Sequence, residues 1–226
     1  MQGVILAGGL GTRLRPMTKT INKHLLGVFD RPMIYYPIQT MKENGITDLI
    51  IVTGEENAGG FVEQLGDGSD LGVTITYAFQ KGNGGIADAL KMARRHITSE
   101  YFAVILGDNY FYPHPIIQRH RTLYCVPTKE ARRFGVIVGG KIYEKPDLDE
   151  GLAVTGLYVY KKDDLFFLDK LIASGRGELE ITDFNNLLLE GYPVQVIDYR
   201  GMWSDMGTPE SMLRAANHAA GIKKNQ

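Results

Sequence analysis

The sequence predicts an α/β fold: one domain with a mostly parallel, mixed central sheet and helices on both faces. Three observations predict it. Apolar runs too short for helices alternate along the chain with stretches of helical periodicity. Glycine-rich turns follow the first and third of those runs, at the strand ends where open α/β sheets place ligands. The length, 226 residues, suits one large domain, and no low-complexity or Pro/Ser-rich linker divides it.

The elements follow in order. Residues 3–7 (GVILA) form an apolar run that reads as a buried strand. Residues 33–44 carry Ile34, Ile38 and Met41 at helical spacing, and Gly45 stops the helix. Residues 48–53 read as a second strand, 61–65 as a short helix and 66–72 as a loop. Residues 73–79 alternate and carry β-branched side chains, a third strand. Residues 86–96 read as a helix and 102–106 as a fourth strand. In the short stretch 109–135, Ile116 and Ile117 read as the start of a truncated helix and 123–126 as a remnant strand. His114 and His120 read there as solvent-facing loop residues. The position one helical turn after His114 is Gln118, a poor transition-metal ligand. Gly139-Gly140 marks a hairpin, and 152–160 a strand. Thr182 or Asp183 is the expected cap of a helix whose apolar stripe runs over 185–190. Residues 192–199 read as the final strand and 209–220 as a closing helix.

Composition excludes several classes of function. Hydrophobic residues at 44% and charged residues at 23% are ordinary for a globular protein. A net charge of -1 argues against a nucleic-acid or anionic-membrane surface, so any nucleotide must be held by a local site. One cysteine, Cys125, excludes an internal disulfide and fits a reducing, cytoplasmic setting. There is no signal-peptide pattern and no apolar run long enough to span a bilayer.

Chemistry concentrates in a few places. Residues 8–14 (GGLGTRL) follow the first strand, where glycines let backbone N–H groups approach an anion. Arg13 and Lys23 add fixed positive charge, which makes a phosphate cradle with two cations at its mouth. The dinucleotide fingerprint G-x-G-x-x-G fails at Leu14, and the P-loop G-x-x-x-x-G-K-[ST] is absent. Glycines alone fit a ligand-free tight turn equally well. Gln80 ends the third strand, and its amide offers a donor and an acceptor suited to a pyrimidine edge. Asp108 follows the fourth strand and suits Mg2+, or else caps a turn. Asp205 supplies a second loop carboxylate, and no His/Cys cluster argues for zinc. Glu144 and Lys145 point to opposite faces unless the strand ends or bends before Pro146.

The string GGLGTRLRPMT, then Lys23 and Arg31–Met33, resembles the signature of sugar-1-phosphate nucleotidyltransferases, G-G-x-G-T-R-L-x-P-x-T followed by a lysine and K-P-M. Within that family it is most similar to the branch that joins dTTP to glucose 1-phosphate. Further matches are Leu106–Asn109, Glu144–Pro146 and Trp203–Thr208, so the resemblance covers nearly the whole chain. The departures are Gly27 in place of a proline, Arg31 in place of lysine, Tyr143 in place of glutamate, and the shortened stretch 109–135.

The resemblance implies a Rossmann-like domain and a set of roles. Leu6, Ala7, Gly8, Gly9, Gly11, Thr12, Gln80 and Gly85 are expected at the nucleotide, with Gln80 reading the base and Gly85 letting it lie close to the backbone. Arg13 and Lys23 are expected to be catalytic, and Asp108 and Asp205 to hold Mg2+. Asn109, Gly135, Glu144, Lys145, Val154, Thr155 and Glu178 are expected at the sugar phosphate. The nucleotide part is then about residues 1–110 and the sugar-phosphate part about 131–210. The implied reaction takes dTTP, or UTP, and a sugar 1-phosphate to a nucleotide sugar and pyrophosphate. No nucleic acid or membrane takes part, and a homo-oligomer is left open. Two other readings stay open beside it. One is a regulator of the same fold that binds without catalysis. The other is a dehydrogenase, which needs a third fingerprint glycine and an acidic residue after the second strand, where this sequence has Leu14 and Thr53-Gly54 with Glu55 and Glu56 beyond.

Overall fold

In the computed structural model, which describes residues 1–224, β1 (Gln2–Leu6) is buried along its whole length. The first half of the chain continues with a small ribbon, β2 (Gly27–Val28) and β3 (Arg31–Pro32), then α1 (Tyr35–Glu43) and β4 (Asp48–Gly54). Next come α2 (Ala58–Leu65), β5 (Thr74–Gln80), α3 (Ile86–Ala93) and β6 (Tyr101–Leu106). The second half holds β7 (Tyr110–Tyr112), β8 (Thr122–Thr128), β9 (Gly135–Val138), β10 (Lys141–Glu144) and β11 (Gly151–Lys161). It closes with α4 (Ile181–Gly191), β12 (Gln195–Asp198), β13 (Met202–Ser204) and α5 (Pro209–Lys224).

Nine strands make the main sheet, in the order β10-β9-β11-β6-β1-β4-β5, with β8 beside β11 and β12 beside β8. β5, β4, β1 and β6 run parallel, and β11 lies antiparallel to β6, β8 and β9. Alternation along the parallel strands sends side chains to two apolar layers. Val4, Leu6 and Val52 pack on one face with Leu90 of α3 and Phe184 and Leu188 of α4. Ile5, Ile51 and Ile105 pack on the other with Ile38 and Met41 of α1 and Phe61 of α2. The unbroken apolar runs of β1, β4 and β6 follow from this burial on both sides. A third cluster, with Leu14, Met33, Tyr110 and Met206, seats α5. Burial pushes the Cys125 thiol up to about 12, so it behaves as a core side chain. Among the described residues, no helix is long and apolar enough to cross a membrane.

The stretch 109–135 differs from the sequence expectation. No helix starts at Ile116, which is exposed on an extended segment. Neighbouring elements satisfy that segment instead. Asn44 donates to Pro115 O (3.0 Å) and accepts from Ile117 N (2.8 Å). Tyr124 OH donates to Ile116 O (2.7 Å) and accepts from Gln118 N (3.1 Å). With its backbone groups paired this way, the chain needs no helix there. β8 is a full seven-residue strand, so the sheet is continuous.

His114 is half-buried against Thr40 Oγ1 (3.0 Å) rather than solvent-facing, while His120 is exposed and bonded to Gln195. Neither Thr182 nor Asp183 caps α4. Glu180 holds the cap position without a side-chain bond, and Thr182 donates to Glu144 instead. The helix expected over 86–96 ends at Ala93 in a 3-10 turn. β12 is not the last strand, because β13 follows it and pairs with β7.

Candidate active site

The carboxyl ends of β1, β5 and β6 open on a cleft of about 640 Å³. Every residue expected at the site lines it except Ala7, Gly11 and Thr12. Ala7 is wholly buried beneath the loop, and Thr12 is exposed at its edge. Gly11 shapes the turn from behind. Its left-handed φ of 63° starts a 3-10 turn over Thr12–Leu14. A Cβ on it would come within 2.8 Å of Lys23 Cβ. The loop is therefore small-sided partly to let the Lys23 stem lie across it.

Lys23 opens a second 3-10 turn that folds back over the first loop. Asn22 fixes that turn by accepting from His24 N (2.9 Å) and donating to Ala7 O (3.4 Å). Burial, with the Lys23 charge beside it, holds His24 well below its ordinary value, so the ring is neutral. Lys23 itself is only 13% exposed at the side chain, and its ammonium donates to Asp108 Oδ2.

A chain of contacts runs from Asp108 to Asp205. Asn109 donates to Asp108 Oδ1 (3.0 Å). Its own Oδ1 accepts from Trp203 Nε1 (2.7 Å) and Gly156 N (3.0 Å). Gly156 sits where β11 loses register against β8, an irregularity of the kind that re-aims side chains beside sites. The Trp203 ring meets Phe134 edge-on at 5.0 Å, and Phe134 carries the Arg133 guanidinium at 4.9 Å. Arg133 donates to Asp205 Oδ2 (2.7 Å), with Arg13 3.9 Å from the same oxygen. The sequence places Asn109 at the sugar phosphate, yet its carbonyl oxygen is fully used within the protein.

Gln80 is buried at the end of β5, and its Nε2 donates to Gly85 O (3.0 Å) and Asp88 Oδ2 (2.8 Å). The amide therefore presents an acceptor alone, not the donor and acceptor expected. Gly85 has a φ of 92° and faces the 178–179 backbone: a Cβ there would come within 2.7 Å of Leu179 O. Its small size serves that contact within the protein.

On the far wall, β10 ends at Glu144 and Lys145 turns at a φ of 46°. The bend brings the two side chains to one side, 3.4 Å apart. Glu144 accepts from Thr182 Oγ1 (2.7 Å). Thr155 lines the cleft but donates its hydroxyl to Tyr124 O (2.7 Å). Arg176 reaches Glu144 (3.6 Å), Glu178 (3.7 Å) and Glu180 (2.9 Å). Arg132, Arg133, Arg176 and Trp203 line the cleft without being expected there from the sequence. Only the matched segments around Phe134-Gly135 and Trp203–Thr208 could have pointed to two of them.

Among the described residues, no group of three His, Cys, Asp or Glu side chains could hold a metal. Asp108 and Asp205 are hard oxygen donors on one cleft, each already neutralised by a protein cation. Such a set suits an ion that takes the rest of its ligands from phosphates and water.

Comparison with known proteins finds similar sequences and a similar fold. The nucleotidyl transferase family profile matches residues 2–221. A Neisseria meningitidis glucose-1-phosphate thymidylyltransferase is 38% identical, over all of this chain and 85% of its own length. The Mycobacterium tuberculosis enzyme of the same name is also 38% identical, over all of this chain and 84% of its own. A solved Bacillus anthracis protein assigned as a glucose-1-phosphate thymidylyltransferase, in complex with sucrose, superposes with a TM-score of 0.89. It is 39% identical, and the match covers 97% of this chain and 95% of that one. A UDP-glucose pyrophosphorylase complexed with UDP-glucose superposes with a TM-score of 0.86 at 25% identity, covering 98% of each chain.

Proposed function

The chain belongs to the nucleotidyl transferase family, and from that premise we propose that it transfers a nucleotidyl group from dTTP to glucose 1-phosphate. UTP and other sugar 1-phosphates are the second candidates. The products are a nucleotide sugar, dTDP-glucose in the first case, and pyrophosphate. The observation that carries the reading is the convergence of Lys23, Arg13, Asp108 and Asp205 on one cleft at the strand ends.

A phosphate oxygen of the sugar 1-phosphate attacks the α-phosphorus of the triphosphate. The bond from that phosphorus to the bridging oxygen breaks, and pyrophosphate leaves with the electron pair. The attacking oxygen is already anionic, so neither a protein nucleophile nor a general base is needed. Positioning and charge neutralisation are what the protein must supply. Gly8, Gly9, Gly11 and Thr12, with Leu6 and Ala7 beneath, form the triphosphate loop, and Arg13 faces the leaving pyrophosphate. Lys23 crosses that loop and lies where the two phosphates meet. Gln80 and Gly85 form the base end. Gly135, Glu144, Lys145, Val154 and Glu178 form the sugar-phosphate wall, with Asn109 and Thr155 behind it. Asp108 and Asp205 would hold Mg2+, and bound there it supplies positive charge between the approaching anions. The nucleotide part is then about residues 1–110 and the sugar-phosphate part about 131–210.

The test is pyrophosphate release from glucose 1-phosphate with dTTP, UTP and CTP in turn. Release with dTTP or UTP supports the reading. Tight nucleotide binding with no release identifies a non-catalytic regulator.

A further inference from the structure

Gln80 is a buried polar side chain at the base end, and its amide is not free to turn. Both hydrogens of Nε2 are used, one on the Gly85 carbonyl (3.0 Å) and one on the Asp88 carboxylate (2.8 Å). Reversing the amide would set its oxygen against a carbonyl and a carboxylate, neither of which can donate. Chemistry thus fixes which end is which. The amide oxygen lies beside Gly8, where an added Cβ would come within 2.7 Å of it. Gln80 and Gly8 both line the cleft, whereas Asp88 sits behind Gln80 and does not.

We infer that Asp88 is a positioning residue that selects the base by holding Gln80 with only its acceptor oxygen turned to the nucleotide. A base at that point must donate a ring N–H, as thymine and uracil do. Cytosine offers a ring acceptor at the same position and meets oxygen against nitrogen with no hydrogen between. The inference rests on the nucleotidyl-transfer reading for which ligand enters. Glycine at position 84 belongs to the same device, since any side chain there would collide with the Asp88 carboxylate.

The experiment compares wild type with Asp88→Asn and Asp88→Ala. Dissociation constants for dTTP and dCTP are measured by calorimetry, alongside kcat/KM for each with glucose 1-phosphate. Neither variant keeps the carboxylate: alanine accepts nothing and asparagine can turn its own NH2 toward Gln80, so both weaken the hold on the Gln80 amide and leave the Gly85 carbonyl as its one fixed acceptor. The expected result is a dTTP preference over dCTP in wild type that falls several-fold in both variants, mainly through tighter dCTP binding. A merely structural role would weaken both nucleotides together and leave the ratio unchanged, and that result overturns the inference. So does a wild type with no preference. Circular dichroism confirms that the variants fold, and the near-isosteric Asp88→Asn decides if Asp88→Ala does not. The binding ratio is read whether or not turnover occurs. A protein that prefers dTTP yet releases no pyrophosphate overturns the transfer reading and leaves the Asp88 assignment standing.

Discussion

Lys23 donates its ammonium to Oδ2 of Asp108, so the cation proposed for the phosphates and a carboxylate proposed for a metal ion hold each other. Both side chains are nearly buried, at 13% and 11% exposure. Neither is left as an unpaired charge in the cleft. A bound phosphate and its counter-ion would exchange partners with the pair, with little new charge to desolvate.

Lys23→Met removes the charge and keeps the length. Turnover should fall by about a hundredfold or more, the loss typical of one preorganised transition-state donor. Lys23→Arg should recover only part, because a planar fork does not replace a compact ammonium on the glycine loop. Wild-type pyrophosphate release by the methionine variant would make Lys23 a structural residue.

Asp108→Asn and Asp205→Asn should each lower turnover far more than nucleotide affinity. Excess chelator should do the same to wild type, and added Mg2+ should reverse it. Mn2+ binding followed by paramagnetic resonance gives a second readout, and both variants should weaken it. Full turnover in chelator would remove the metal from the mechanism.

Much of this was legible in the sequence, for reasons particular residues make clear. β1, β4 and β6 are buried on both faces and so read as apolar runs. α1 showed itself through Ile38 and Met41, which face one layer of the core. What escaped was tertiary. β13 has three residues and exists only by pairing with β7. The two isoleucines at 116 and 117 suggested a helix, but Asn44 and Tyr124 satisfy that backbone from elsewhere. Glu144 takes the Thr182 hydroxyl from 38 residues away, which removes the expected cap. The sequence led to Gln80 as an expected base reader, but only the Gly85 carbonyl at 3.0 Å and Asp88 at 2.8 Å reveal which end of the amide is spent.

The Arg121–Asp164 pair should be a stability anchor for the short central stretch. Arg121 Nε bonds both carboxylate oxygens (3.0 and 2.9 Å) and stacks on Tyr192 at 4.3 Å. Asp164, 1% exposed, also accepts from Lys161 N (2.8 Å). Arg121→Ala leaves that carboxylate buried and unpaired, which should cost about 3–5 kcal/mol. Urea denaturation measures it, and a loss below about 1 kcal/mol would show that water replaces the arginine freely.

Stability should decline on mild acidification. Burial keeps His24 neutral in the fold, with its pKa well below the ordinary 6.5, and His114 is lowered by burial too. The unfolded chain takes up those protons first as pH falls through about 6.5, so it binds more protons than the native state below that point. The stabilisation is present above 6.5 and is lost toward the lower native values. Each histidine contributes at most about 1.4 kcal/mol per pH unit. His24→Asn keeps a donor toward Asn22, so it should lower the baseline yet flatten the slope of urea midpoints between about pH 7.5 and 5.5. An unaltered slope would place the acid sensitivity elsewhere.

Trp203 is the only tryptophan in the chain, and it lines the cleft. Its emission should therefore change when nucleotide binds. Its indole also gives Asn109 one of the two donors that hold the side chain aimed at Asp108. Trp203→Phe keeps an aromatic ring against Phe134 but deletes that donor. Asn109 then rests on Gly156 alone, and the direction of the Asp108 carboxylate loosens. Loss of one such bond should cost about 1 kcal/mol of stability. On the proposal that Asp108 holds the metal ion at the reacting phosphates, kcat should fall several-fold while KM for the nucleotide stays near wild type. Trp203→His, which restores a ring N–H, should recover part of kcat. A kcat equal to wild type in Trp203→Phe would show that Gly156 alone orients Asn109, and the link from β13 to Asp108 would then be packing only.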